Sequence, residues 1–115
     1  MFNPTDQLPL SPLSFHILLA LGEKSSHGYA IGKEVERRSH GRINPTTGAL
    51  YQALRRLSED GLVERDDAAS RAATDSRRQY FRLTPRGREV AALEAARLQE
   101  LVGLARARRL FPESP

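Results

Sequence analysis

The stretch NPTTGALYQALRRL, residues 44–57, has the pattern of a capped amphipathic helix. An asparagine followed by a proline is typical of a helix start, because asparagine caps a first turn and proline is preorganised for it. Leu50, Leu54 and Leu57 then recur at helical spacing and predict one buried stripe. Gly61 is expected to end the helix just past its last turn. The pattern predicts an amphipathic helix over residues 45–60.

Two further helices are predicted before this stretch. Ser11-Pro12 repeats the cap-plus-proline start, and the residues that follow are apolar nearly all round, so this helix should be buried on several sides. Ser25-Ser26 is expected to cap a second helix over residues 27–39. The residues before Ser11 are expected to form a flexible arm.

Two strands and a long helix are predicted after it. Residues 62–65 and 79–83 have the apolar and aromatic content of strands, and the polar, small residues 66–78 between them are typical of a flexible hairpin tip. Thr84-Pro85 opens the last helix.

The order of elements predicts a mainly α (α+β) fold. Three helices followed by a two-stranded β-wing are typical of a winged helix-turn-helix, and the last helix is an addition to it. The expected organisation is a flexible arm, a winged helix-turn-helix domain, a dimerisation helix and a tail, over residues 1–10, 11–84, 85–110 and 111–115.

Composition narrows the class of protein. The 115 residues include no cysteine, which excludes disulfides and thiolate zinc sites. His16, His27 and His40 lack metal-ligand spacing, and there is no glycine-rich phosphate loop or nucleophile elbow. We therefore expect no enzyme, no metal and no cofactor. The longest apolar run is far shorter than a membrane span and no export signal is visible, so we expect a cytoplasmic protein.

Charge is unevenly distributed along the chain. Residues 1–70 hold eight basic and nine acidic side chains, whereas residues 71–109 hold ten arginines against four carboxylates. Arginine offers a planar set of donors that matches phosphate oxygens and the guanine edge. An arginine-rich composition can also reflect the base composition of the source genome, but that does not explain the uneven distribution.

The helix at residues 45–60 is a candidate for reading DNA. A helix that enters the major groove by its N-terminal end needs a slim leading turn, which Thr46, Thr47 and Gly48 supply. Gln52 suits adenine, and Arg55 suits guanine or phosphate. The alternative is an ordinary polar face of a surface helix.

Arg77 and Arg78 stand at the base of the second predicted strand. A wing that lies along a duplex uses such arginines for phosphate contacts or minor-groove insertion. The alternative is a solvated cluster of charges.

The last helix carries apolar residues over about half of its circumference, which is wider than one packing surface needs. We therefore expect it to pair with the same helix of a second copy, and the alternative is that it folds back on its own domain. The residues of this helix predicted to lie in the dimer interface are Val90, Leu93, Leu98, Leu101 and Leu104.

Several segments in this order resemble the PadR family of bacterial transcriptional regulators. They are LLAL at 18–21, HGYAI at 27–31, PTTGALYQALRRL at 45–57, DGLV at 60–63 and RQYFRLTPRG at 78–87. The single C-terminal helix is similar to the short subfamily. The resemblance implies a homodimer in which the first helix, with Phe15, joins the interface. It also implies DNA contacts from the third helix, Tyr51 included, and from the wing.

These observations predict a homodimeric repressor that occupies a palindromic operator and is released by a small-molecule effector, as the resemblance implies. Two alternatives stay open. One is a winged-helix module that binds proteins, and the other is a ligand sensor with little specific DNA binding.

Overall fold

The computed structural model describes residues 1–75 and 77–113. Ser76 in the predicted hairpin tip and Ser114 and Pro115 in the predicted tail lie outside the described residues. In chain order the elements are a 3-10 helix Pro4–Gln7, α1 Pro12–Glu23, β1 Ser26–His27, α2 Gly28–Arg38, α3 Thr47–Glu59, β2 Val63–Arg65, α4 Asp67–Ala72, β3 Tyr80–Leu83 and α5 Pro85–Ala107. The predicted winged helix-turn-helix is confirmed.

Side-chain caps set the helix starts. Ser11 accepts from the backbone N–H of Ser14 and Thr84 accepts from that of Gly87, which confirms the predicted starts of α1 and α5. The start of α3 differs from the prediction, because Thr46 is its cap and the helix begins at Thr47. Thr46 is extended at φ −66° and ψ 160°, and its hydroxyl accepts from Ala49. The helix therefore begins two residues later than the proline signal indicated.

The start of α2 and the sheet also differ from the prediction. His27, not Ser25-Ser26, caps α2. Ser26 and His27 form β1, which pairs antiparallel with β3, so the sheet has the order β1-β3-β2 instead of two strands. The open edge of β3 explains this, because its backbone groups need partners and the extended residues before α2 supply them.

The hairpin tip holds a short helix, which was not predicted from the sequence. Asp66 caps α4 by accepting from Ala69, and it also accepts from the hydroxyl of Ser25. The hydroxyl of Ser70 in α4 accepts from the backbone N–H of Tyr80 in β3. These bonds tie α4 to the sheet, whereas a free polar turn was expected.

The core lies between the first three helices, the sheet and the start of α5. The predicted stripe of Leu50, Leu54 and Leu57 is buried there. Gly61 has φ +76°, which confirms its predicted place at the end of α3. Gly87 packs on the backbone carbonyl of Leu62, where any Cβ atom would overlap that oxygen. This close approach brings α5 against the wing.

The N-terminal segment packs on α5, although it was expected to be a flexible arm. The backbone N–H of Leu10 donates to the carboxylate of Glu94 at 2.8 Å, and the guanidinium of Arg86 lies 4.4 Å from the ring centre of Phe2. Glu94 is 1% exposed, and a buried carboxylate needs donors. Arg97 supplies the others, and hydrogen bonding to Arg97 is the main reason that the pKa of Glu94 lies below its ordinary value.

The part of α5 that packs on the rest of the chain is its first half, up to Glu94. Gly87, Val90 and Glu94 are its buried residues. Val90 is fully buried in the protomer's own core, which corrects its prediction as an interface residue, because it has no surface left to offer a second copy. The helix ends at Ala107 rather than at residue 110, and Arg109 beyond it has φ +57°. Among the described residues no helix is both long and apolar enough to cross a membrane.

Candidate nucleic-acid interface

The first turn of α3 is a slim, exposed surface. Thr46, Thr47 and Gly48 are all exposed, and nothing lies within 4 Å of the position that a Cβ atom on Gly48 would take. The hydroxyl of Thr46 is committed to the cap, so its methyl group is the part left for a ligand. This end of the helix presents free N–H groups and a positive dipole end, which favour phosphate oxygens.

The next turns of α3 divide between packing and exposure. Tyr51 is 44% exposed, and its hydroxyl lies against the backbone of Gly28, where a Cβ atom would overlap it. Tyr51 therefore helps to seat α3 on α2, in addition to the predicted contact with DNA. Gln52 and Arg55 are exposed and remain candidates for base or phosphate contacts.

The wing arginines are held by ion pairs. Arg77 is paired with Asp75, with 3.2 Å between Nε and Oδ1, and hydrogen bonds from Arg77 are the first cause of a lowered pKa at Asp75. The Nε of Arg78 lies 3.8 Å from the other oxygen of Asp75. Arg82 is paired with Glu64 across the β2–β3 ladder, with 2.9 Å between Nε and Oε1. Arg77 and Arg78 thus remain at the exposed base of β3.

The exposed face of α2 lies between the two predicted regions, and it was not predicted from the sequence. Tyr29 and Lys33 line a groove with Thr47 at the start of α3, and they also line a second groove with Arg78. Tyr29 is 67% exposed, and the ammonium of Lys33 lies 5.6 Å from its ring centre. The HGY segment was visible in the sequence, but only the fold shows that its tyrosine faces outward between α3 and the wing.

A cleft of about 400 Å³ opens between the exposed edges of α3 and the sheet. Its floor is apolar, with Leu54, Val63 and Phe81. Arg55, Arg65 and Gln79 line it as well. Arg65 and Gln79 were not predicted site residues; both are exposed and lie at the strand ends. A polynucleotide backbone that passes between α3 and the wing would meet these donors.

The C-terminal half of α5 carries an exposed apolar face. Leu98, Leu101, Val102 and Leu104 are between 37% and 48% exposed. Phe15 on α1 and Leu93 on α5 are half-buried. These residues form a strip of apolar surface that the described part of the chain leaves uncovered.

Comparison with known proteins agrees with this geometry. The profile of the "Transcriptional regulator PadR-like family" matches residues 17–93, from α1 into α5. The chain belongs to the PadR-like family. Its winged helix-turn-helix is therefore that of a PadR-like transcriptional regulator.

Individual PadR-like relatives support the assignment. The chain is 33% identical over 87 residues to Transcriptional regulator Rv3488 of Mycobacterium tuberculosis, and the match covers 75% of each protein. It is 38% identical over 87 residues to an uncharacterized 37.1 kDa protein in transposon TN4556 of Streptomyces fradiae, but spans only 23% of that relative's length. The crystal structure of a PadR family transcription regulator from Clostridium difficile matches with a TM-score of 0.67 at 20% identity, covering 84% of this chain and 97% of that one. At this identity the structural match shows the shared fold.

Proposed function

We propose that this PadR-like protein is a sequence-specific DNA-binding repressor. The observation that carries the proposal is the slim, exposed first turn of α3, which continues along Tyr29 and Lys33 of α2 to Arg78 of the wing. The first turn is narrow enough to approach base edges, and the cations beside it suit backbone phosphates. Gln52 and Arg55 read bases, and Arg77 and Arg78 bind the backbone or the minor groove.

We also propose that the protein acts as a homodimer. The uncovered apolar strip on the C-terminal half of α5 supports this, because a helix that projects from a small domain exposes its apolar surface to water unless a partner covers it. A two-fold axis between two α5 helices would present two copies of α3 to one face of a duplex. The operator is therefore a palindrome with half-sites about one helical turn apart.

We propose that a small molecule releases the protein from DNA, as the family resemblance implies. A ligand that binds between the paired α5 helices and favours one separation of the two α3 helices shifts the dimer away from the DNA-bound arrangement.

The test is binding to DNA from the protein's own promoter, measured by fluorescence anisotropy at moderate salt. We expect tight binding to a palindromic duplex and much weaker binding to a scrambled duplex of the same composition. Gln52→Ala should narrow that difference by about 1–3 kcal/mol, because a lost base contact relaxes sequence preference. Equal affinity for both duplexes would contradict the repressor proposal and favour a protein-binding or ligand-sensing role.

A further inference from the structure

The ring of His27 lies between the N-terminus of α2 and the wing. Its Nδ1 faces the backbone N–H of Ala30 at 3.4 Å, as the cap of α2. Its Nε2 lies 3.3 Å from the Nη1 of Arg78. The ring also packs edge-on against Tyr80, with 5.2 Å between ring centres and 74° between planes. His27 is thus a direct contact between the second helix and a wing arginine.

Both ring nitrogens of His27 face donors. A neutral imidazole has one acceptor nitrogen, so one tautomer receives the N–H of Ala30 and the other receives the guanidinium of Arg78. The imidazolium has no acceptor at all. Protonation therefore removes whichever of the two bonds the neutral tautomer makes, and it places a positive charge beside Arg78.

We propose that neutral His27 positions Arg78 for its contact with DNA, and that protonation of His27 abolishes this contribution of the wing. The inference rests on the proposed DNA-binding function and adds a role for His27, which lies outside α3. Arg78 is restrained on one side by Asp75, at 3.8 Å, and on the other by His27. Loss of the imidazole partner leaves its guanidinium restrained only from the Asp75 side.

The charges around His27 come from two elements. Arg78 and Asp75 face it from the wing, and Lys33, Glu34 and Arg37 of α2 line the same groove. Burial is the first cause that lowers the pKa of His27, Arg78 lowers it further, and Asp75 opposes them. The change should therefore occur below the ordinary histidine value of about 6.5.

The experiment compares the effect of Arg78→Ala on operator affinity at about pH 7.5 and about pH 5, on either side of the histidine titration. General effects of pH on charge act on both proteins, so the ratio of their dissociation constants isolates Arg78. We expect the substitution to weaken binding about tenfold at the higher pH and less than about twofold at the lower pH.

Two variants serve as controls. His27→Asn keeps a good helix cap but has no group at the position of Nε2, so Arg78→Ala in that background should cost less than about twofold at both pH values. His40→Asn removes a histidine that is exposed at φ +56°, a conformation that asparagine tolerates. The pH dependence should survive in that variant.

An Arg78→Ala effect that is the same at both pH values, or that persists in His27→Asn, would overturn the inference and leave DNA binding intact. So would an Arg78→Ala variant that binds as tightly as the native protein at about pH 7.5. Failure of the native protein to prefer its operator at either pH would instead overturn the proposed function, and the role of His27 with it.

Discussion

At the scale of single residues, the contact between Gly87 and the carbonyl oxygen of Leu62 joins α5 to the wing. The backbone of Leu62 occupies the space that a side chain at Gly87 would need, and Leu83 closes the other side. Thr84, three residues earlier, caps α5 and donates its hydroxyl hydrogen to the carbonyl of Gly61. The close approach of Gly87 to Leu62 and the hydrogen bonds of Thr84 therefore hold the start of α5 against the segment between α3 and β2.

Gly87→Ala should destabilise the fold by about 1–3 kcal/mol, because the new methyl group overlaps backbone that cannot move independently. Urea unfolding followed by circular dichroism measures the change. Gly103→Ala is the matched control in the same helix, since nothing lies within 4 Å of its Cβ position. That variant should gain about 0.5–1 kcal/mol from helix propensity. Equal effects of the two substitutions would contradict the packing described here.

At the scale of elements, α5 has two parts with different roles. Its first part is packed on the core, and Glu94 marks the last buried position, where it binds the N-terminal segment through Leu10. The second part presents the exposed leucines. The division explains why Val90 belongs to the protomer's core, whereas Leu101 is available to a partner.

Leu101→Glu should turn the proposed dimer into a monomer. Each copy would bring a carboxylate into the paired apolar strip, and an uncompensated buried charge costs about 3–5 kcal/mol. Gln99→Glu, which adds the same charge about 160° away around the helix, should leave the dimer intact. Sedimentation equilibrium of the two variants and the native protein gives the mass. A native monomer, or a dimeric Leu101→Glu variant, would contradict the proposed interface.

At the scale of the whole molecule, acid should destabilise the fold in a way that His27 controls. Burial and Arg78 lower the pKa of His27 in the folded protein. As the pH falls, His27 is therefore protonated in the unfolded chain before it is protonated in the folded protein. The stability that neutral His27 contributes is fully present above about pH 6.5. It is lost as the pH falls through the lower pKa that His27 has in the folded protein. Carboxylates with lowered pKa values, such as Glu94, add a second loss below about pH 4.5.

We expect the free energy of unfolding to fall between about pH 7 and about pH 5 in the native protein and less steeply in His27→Asn. Thermal and urea melts at a series of pH values measure both slopes. His40→Asn should behave like the native protein. If all three proteins share one slope, His27 is not the group responsible.

Local patterns predicted more of the fold than of the site. The caps at Ser11 and Thr84 and the leucine stripe of α3 depend on residues within a few positions of one another, so the sequence alone identified them. The start of α3 was wrong by two residues, because Asn44 and Thr46 both suit a cap and only the backbone conformation distinguishes them.

Contacts between distant parts of the chain account for what was missed. β1 exists because β3, more than fifty residues later, offers it an open edge. The N-terminal segment is ordered by a carboxylate 84 residues away from Leu10. The same holds for the site, where Tyr29 and Lys33 became candidates only when the fold placed them between Thr47 and Arg78.

Local sequence patterns were enough to predict three helices, a wing built from strands, a last helix with excess apolar surface and an arginine-rich second half. These follow from periodicity, caps and composition, which act over one or two turns. The tertiary structure was needed to show that Val90 is a core residue, that His27 touches a wing arginine and that the exposed face of α2 lies beside Thr47 and Arg78. Those properties depend on which residues far apart in the chain become neighbours, and packing of the whole core decides that.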